Sequence, residues 1–224
     1  STKDFSTEQL LKTIKTGNGV TESITYQPLS PSSKVEGDYM SIYSNSAYTE
    51  NYPNFDLVEA PSVQVVTKLE KTSASTSKKQ LFSYYGAVSN LEGRGFLGFR
   101  ATGRTNWFDA SPSTISTISK YDINLRGANT ENYSVLGTQM ASGSTAPSNF
   151  ITRSVLSYTS SLGSNKVFTI KNTSSQQFNG LDNTSSETTK VYDSYNNPTQ
   201  SATVIKQAGT IQQTTTSNVA YNNF

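Results

Sequence analysis

A glycine-punctuated run of large apolar residues near the middle of the chain limits the fold more than any other part of the sequence. The run consists of Gly93, Arg94, Gly95, Phe96, Leu97, Gly98 and Phe99. Such glycines are typical of an extended strand that another backbone or ring approaches closely, because glycine supplies room and unusual dihedral angles. An aromatic stretch over residues 81–88 precedes the run and includes Tyr84, Tyr85 and Gly86. With a polar turn at 90–92 between them, the two stretches predict a hairpin with a packed aromatic face, which is a surface rather than a catalytic site.

The composition predicts sheets with thin apolar faces and wide faces covered by hydroxyl groups. Only 33% of the 224 residues are hydrophobic, 15% are charged, and the mean hydropathy is -0.52. Ser, Thr, Asn and Gln supply the remainder, which is unusual for a globular domain. The length suits one large domain or two small ones.

Charge and missing residue types exclude several classes of function. Eighteen basic and 16 acidic residues give a net charge of +2. The charges are scattered rather than clustered in the sequence, so they do not indicate binding of nucleic acid or anionic lipid. The chain has no Cys and no His, so disulfides, thiolates and the commonest general base and metal ligand are absent. It also lacks a phosphate-binding loop, a nucleophile motif and a membrane-length apolar stretch. We therefore expect no enzyme, no cofactor, no metal and no membrane span.

The first residues are polar and begin abruptly, without the pattern of a signal peptide. We therefore expect a processed or excised piece. The composition, rich in Tyr, Thr, Ser and Asn, favours an exported protein.

Three segments follow one another along the chain, and we expect them to form one continuous structural unit. Segment 1–60 opens with two alternatives: a helix capped by Ser6 and Gln9, or a hairpin of strands 10–15 and 20–27 joined at Asn18-Gly19. Asn-Gly is the strongest short hairpin signal, so we favour the hairpin. A softer strand is predicted at 39–52.

Segments 61–145 and 146–224 contain the clearer strands. The predicted strands are 62–71, 80–88, 95–105, 114–124, 150–159, 166–172, 187–195, 199–206 and 210–221. No helix longer than about two turns is predicted. Successive strands at this spacing predict an all-β fold, an antiparallel meander of consecutive hairpins that forms a curved sheet.

Several of these motifs resemble those of one protein family. The run 93–99, with Tyr84-Tyr85-Gly86 before it and Trp107-Phe108-Asp109 after it, resembles a signature of RHS-repeat shells and of the B components of insecticidal Tc toxin complexes. Residues 192–199 resemble the tyrosine-aspartate (YD) repeat, Tyr-Asp-x-x-Gly-Asn-x-Thr. Tyr192, Asp193, Asn197 and Thr199 match this pattern, and Asn196 stands where glycine is usual. Asn accepts a left-handed conformation better than other non-glycine residues, so the turn should survive.

Two weaker matches, 10–26 and Tyr52-Pro53 followed by 63–67, keep the family order, so the resemblance covers roughly 10–221. It implies a segment of a β-sheet wall that spirals into a hollow shell around polypeptide cargo, in a secreted or surface protein of bacteria. Its partners would be adjoining parts of the same shell and the cargo. No match to the family's self-cleaving aspartyl protease region occurs. Cut from its parent, such a segment should self-associate through its strand edges.

Other functions remain open at this point. A surface adhesin or carbohydrate-binding β-sandwich would use Trp107 and the tyrosines as a stacking platform, whereas cross-strand packing is the simpler role for these rings. Arg94 could bind an anion, but we expect it to pair with a carboxylate or carbonyl of a neighbouring strand. Carboxylate pairs such as Glu92 with Asp109, or Asp182 with Glu187, could serve a glycosidase, but solvated loop carboxylates are the simpler interpretation.

Overall fold

The structure is a computed structural model that describes residues 10–34, 41–46, 50–74, 76–109 and 114–221. Strands account for 65% of the chain, and the described residues contain no helix. The strands are β1 (Thr13–Lys15), β2 (Thr21–Leu29), β3 (Tyr43–Ser44), β4 (Asn54–Asp56), β5 (Ala60–Ser73), β6 (Thr76–Asn90), β7 (Gly95–Thr105), β8 (Ile115–Asp122), β9 (Ala128–Leu136), β10 (Thr152–Leu162), β11 (Phe168–Asn179), β12 (Thr184–Tyr192), β13 (Pro198–Gln207) and β14 (Thr210–Asn218). The predicted all-β fold is confirmed.

All fourteen strands belong to one open sheet with the order β1-β2-β5-β6-β7-β8-β9-β10-β11-β12-β13-β14. Each strand of this path pairs antiparallel with the next. Most of these pairs are joined by short turns, which can connect only antiparallel neighbours. The long β2–β5 connection adds β3, which is parallel to β6, and β4, which is antiparallel to it. The predicted meander of consecutive hairpins is confirmed, and the closed two-layer sandwich of the adhesin interpretation is not found among the described strands.

Two details of the sequence prediction change. β9 lies in 125–145, where no strand was predicted; only Tyr133 and Val135 in it are buried, so its apolar period is too weak to recognise. Of the predicted strand 39–52 only Tyr43–Ser44 is a strand, while 39–40 and 47–49 lie outside the described residues. The hairpin over 10–27 is confirmed, since Thr13–Lys15 pairs with residues 21–23. Ser6 and Gln9 of the helical alternative lie outside the described residues.

Two buried clusters hold the first half of the sheet. The first consists of Leu29, Ile42, Tyr43, Val65, Leu81, Ala87 and Phe108. The second consists of Ala101, Ile118, Tyr133, Val135 and Ala141. Residues 137–151 cross this second cluster, where the Ala141 N–H donates to Ser83 Oγ at 2.9 Å and the Gln139 N–H donates to Ser116 Oγ at 2.7 Å. From β10 onward no described residue is buried, so the sheet continues there as a single layer.

The two faces of the sheet differ in chemistry from β7 to β14. Residues in register on neighbouring strands lie on the same face. One face, called here the hydroxyl–amide face, carries two rows: Thr102, Ser119, Asn132, Ser154, Gln177, Ser186, Ile205 and Gln213, and Arg104, Thr117, Ser134, Thr152, Asn179, Thr184, Gln207 and Thr210. Within these rows only Ile205 and Arg104 lack an uncharged hydroxyl or amide group. This is the polar face that the composition predicts.

The opposite face mixes charged, aromatic and aliphatic side chains. Its rows are Ala101, Lys120, Glu131, Val155, Gln176, Glu187, Val204 and Thr214, and Gly103, Ile118, Tyr133, Arg153, Phe178, Ser185, Lys206 and Ile211. Glu131 accepts from Lys120 Nζ and from Arg153 Nε, both at 2.7 Å. Lys120 Nζ also donates to the Ser144 carbonyl at 2.5 Å, which ties residues 137–151 to this face.

Candidate functional site

The glycine run forms the turn and first half of β7, and its glycines serve backbone conformation. Gly93, Gly95 and Gly98 have φ of 90°, 66° and 117°, a region that favours glycine. A Cβ on any of the three would meet no atom within 4 Å. The predicted unusual dihedral angles are therefore confirmed, and the predicted close approach of another backbone or ring is wrong at these three positions.

The predicted aromatic face of the β6–β7 hairpin is present. The rings of Tyr84 and Phe99 lie 4.7 Å apart, and those of Phe96 and Phe99 lie 5.3 Å apart, edge to face. The Tyr84 hydroxyl donates to the Val66 carbonyl at 2.8 Å, and burial raises the pKa of Tyr84 to about 12. Phe96 is exposed, whereas Leu97 and Phe99 are half-buried. Tyr85, on β6, packs against the second buried cluster.

Gly86 is the position in this hairpin where close approach does occur. Its φ is 59°, and a Cβ there would lie 2.7 Å from the Arg100 side chain. The space that Gly86 leaves lets Arg100 reach the β2–β5 connection, where Nη2 donates to Glu50 Oε1 at 2.7 Å and to Asp56 Oδ1 at 3.1 Å. Burial alone would raise the pKa of Asp56, but hydrogen bonds from Ser46, from the Glu50 N–H and from Arg100 outweigh burial and lower it. This network fastens β4 to the hairpin.

Arg94 has none of the contacts predicted for it. It lies in the β6–β7 turn and is exposed. Throughout the described part of the chain it makes no hydrogen bond or ion pair. The expected pairing with a neighbouring strand is therefore not seen among the described residues.

Trp107 does not offer a free stacking surface on both faces. The Lys71 ammonium lies over its ring, 4.8 Å from the centroid, and also pairs with Glu22 Oε1 at 3.0 Å. Trp107 is half-buried beside Val20 at the end of the β5–β6 hairpin. A cation–π contact accounts for this ring better than a sugar platform does.

The YD-like turn adopts the geometry that its sequence predicts. The Asp193 carboxylate accepts the N–H groups of Tyr195 and Asn197 at 2.9 and 2.8 Å, and these bonds, led by that from Asn197, lower the pKa of Asp193. Asn196 has a φ of 72°, so Asn replaces the usual glycine as expected. The Tyr192 hydroxyl donates to the carbonyl of Asn172 on the adjacent strand at 2.7 Å.

The same five-residue turn occurs at two further places that the sequence analysis did not connect with it. In all three turns the first N–H donates to the fifth carbonyl, at 2.9, 2.9 and 3.0 Å for Thr16–Val20, Gly163–Val167 and Asp193–Asn197. The fourth residue always has positive φ; these residues are Gly19, Lys166 and Asn196. The shared backbone pattern reveals the repeat, because no position carries the same residue in all three turns.

Tyrosine hydroxyls repeatedly tie a strand to its neighbour. The bonds run from Tyr26 to the Leu11 carbonyl at 3.1 Å, from Tyr158 to Asn129 at 2.9 Å, and from Tyr221 to Pro198 at 3.0 Å. Together with Tyr192 they support the cross-strand role over the stacking role.

Three of the carboxylates considered for glycosidase chemistry have structural hydrogen-bond partners. Asp182 accepts the N–H and hydroxyl of Thr184 at 3.1 and 2.7 Å, and Glu187 accepts from Gln176 Nε2 at 3.0 Å. Glu92 accepts from the Tyr52 hydroxyl at 3.2 Å. In the described ranges no three acidic side chains gather as a metal site requires, and no helix is long and apolar enough to cross a bilayer.

Comparison with known proteins shows the fold but not the family. No family model matches the sequence, and no curated protein matches it. The structure is similar to the crystal structure of TcdB2-TccC3, a Tc toxin component, with a TM-score of 0.61 and 10% sequence identity. The likeness covers 96% of this chain and 13% of that chain. At this identity it shows a distant Tc-toxin-like fold.

Proposed function

We propose that the chain is a non-enzymatic structural segment of a bacterial secreted or surface protein of RHS/Tc type, and that it adds sheet to a shell around polypeptide cargo. The observation that carries the proposal is the open sheet, which becomes a single layer after β10. The wall of a shell needs a broad sheet rather than a thick hydrophobic core, and the backbone hydrogen bonds between its strands can hold it together. The likeness to TcdB2-TccC3 over 96% of the chain supports the same conclusion.

The two edges of the sheet support continuation in one direction. β14 has nine residues, all exposed, without charge, proline or glycine, and the described chain places no strand on its outer side. β1 has only three residues and is flanked by Lys12 and ends on Lys15. Lysines and short length protect an edge, whereas a long uncharged edge is a template for another strand. In the proposed shell, β14 is where the next strand pairs.

Sedimentation velocity over a range of concentrations tests this proposal. We expect the isolated chain to associate through β14, and we expect the double variant Gln213→Lys, Thr215→Lys to remain monomeric because charges block edge pairing. The double variant Thr152→Lys, Gln177→Lys is the matched control: it places the same two charges at exposed positions of interior strands and should associate like the natural sequence. A natural chain that stays monomeric at every concentration would count against the shell role.

A further inference from the structure

A cleft at the β7–β8 end of the hydroxyl–amide face is lined by aromatic side chains of β6 and β8 and by one charged residue, Arg104. The cleft has a volume of about 430 Å³ and is lined by Phe82, Tyr84, Thr102, Gly103, Arg104, Thr117, Ser119 and Tyr121. Two of the register rows cross its floor: Phe82–Arg104–Thr117 and Tyr84–Thr102–Ser119. Ligand sites typically have volumes of about 300–1,000 Å³, so the cleft has room for one or two sugar rings.

Aromatic rings form the walls of this cleft and are held in place. Phe82, Tyr84 and Tyr121 are all half-buried. The hydrogen bond from the Tyr84 hydroxyl to the Val66 carbonyl fixes that ring. The Tyr121 hydroxyl lies 3.4 Å from Thr102 Oγ1, across the cleft floor. Fixed rings offer flat apolar surface at little entropic cost, which suits the C–H face of a pyranose.

Arg104 is the one charged residue that lines the cleft, and no described residue pairs with its guanidinium. Its side chain is exposed, and among the described residues it has neither a hydrogen bond nor an ion pair. Thr117, in register beside it, and Ser119, on the neighbouring row, present further hydroxyl groups. A free guanidinium next to hydroxyl groups is suited to bidentate recognition of a carboxylate.

The strands beneath the cleft argue against a peptide ligand. β7 pairs with β6 and β8 on its two sides, and β8 pairs with β7 and β9. Their N–H and C=O groups are therefore engaged in ladders, whereas peptides that bind sheets gain most of their affinity from free backbone groups at an edge. Only side chains remain to recognise a ligand here.

We propose that this cleft binds a pyranose that carries a carboxylate, of the uronic-acid or sialic-acid class. Arg104 holds the carboxylate, the rings of Tyr84 and Tyr121 contact the C–H faces of the sugar, and the hydroxyls of Thr117 and Ser119 bond to its hydroxyls. This binding does not depend on the shell role, since the cleft lies away from the β14 edge.

Titration of the full chain with sodium glucuronate and with N-acetylneuraminate, followed by ligand-observed NMR, tests the proposal. We expect saturable binding of at least one of them with a dissociation constant of about 1 mM. Glucose, which lacks the carboxylate, and acetate, which lacks the ring, should each bind at least about tenfold more weakly. The acid that binds more tightly identifies the class.

Arg104→Gln should weaken binding by about tenfold or more. Arg94→Gln is the matched control, because it removes an exposed, unpartnered arginine outside the cleft and should leave binding unchanged. Thr117→Val, which keeps the branched shape, should weaken binding while leaving the melting temperature near that of the natural chain. The proposal is overturned if neither acid binds at about 10 mM, if acetate binds as well as the sugars, if Arg94→Gln matches Arg104→Gln, or if an acidic peptide binds more tightly than both sugars.

Discussion

Replacement of Arg100 by Met should be among the most damaging single substitutions in the chain. The Asp56 side chain is only 2% exposed, and Arg100 Nε and Nη2 donate to its Oδ1 at 3.3 and 3.1 Å. Nη2 also donates to Glu50 Oε1 at 2.7 Å. Methionine fills similar space without a charge, so the variant leaves two carboxylates facing each other with no cation between them.

The size of the effect follows from the burial of the pair. Removing one partner of a buried ion pair costs about 3–5 kcal/mol of unfolding free energy. Asp56 retains hydrogen bonds from the Ser46 hydroxyl and the Glu50 N–H, and Arg100 is itself 20% exposed. We therefore expect the lower end, about 3 kcal/mol, which for a chain of this length lowers the melting temperature by about 6–12 °C.

Urea unfolding of a double-mutant cycle measures this directly. Arg100→Met and Asp56→Asn should each destabilise, and the double variant should lose less than the sum of the two, because the groups contact each other. Arg94→Met changes an exposed arginine that has no hydrogen bond or ion pair to any described residue, and it should stay within about 0.5 kcal/mol of the natural sequence. A loss below about 1 kcal/mol for Arg100→Met, or additive losses in the cycle, would show that the network does not hold β4 to the hairpin.

Three further expectations concern packing, pH and the tyrosine ties. Gly103→Ala should cost about 1–3 kcal/mol, because a Cβ would lie 2.5 Å from Ser83 Oγ, whereas Gly17→Ala meets no atom within 4 Å and should be neutral; equal effects would contradict this. Burial raises the pKa of Glu131, but Lys120 and Arg153 outweigh burial and lower it from 4.5, so the melting temperature should hold above pH 5 and fall as the pH drops below about 4.5, with a smaller fall in Glu131→Gln. Tyr192→Phe, which loses its hydrogen bond to the neighbouring strand, should cost about 1 kcal/mol in urea unfolding, and no loss would argue against the tie.

Local sequence patterns predicted the hairpins, but they could not predict contacts between residues that are far apart in the sequence. The hairpin turn at Asn18-Gly19 and the positive φ of Asn196 both follow from the chemistry of residues within one turn. Both predictions are confirmed. The Arg100–Asp56 pair joins residues 44 positions apart, and no periodicity marks it. β9 was missed because most of its side chains are polar on both faces, so alternation is hard to recognise.

The cleft beside Arg104 shows which aromatic residues sequence reasoning could not bring together. Trp107 is the chain's only tryptophan, and its large ring made it the candidate for a stacking platform. The rings that share a cleft are instead Phe82, Tyr84 and Tyr121, which come from two strands separated by β7. Their meeting depends on the register of three strands, and a single sequence does not contain that register in a local pattern.

A sheet with one face of hydroxyl and amide groups faces a problem of register. Slipping a strand by one residue exchanges its faces, and that slip is normally prevented by the burial of one apolar face. From β10 onward no described residue is buried, so burial offers little resistance there. Hydrogen-bonded turns resist the slip in register instead. The turns Gly163–Val167 and Asp193–Asn197 fix which residues pair at the start of two hairpins. Tyr192 and Tyr221 then bond to single carbonyls that a slipped strand would move out of reach. The tyrosines and positive-φ turns therefore hold this part of the sheet in register where a hydrophobic core would do so in a thicker domain.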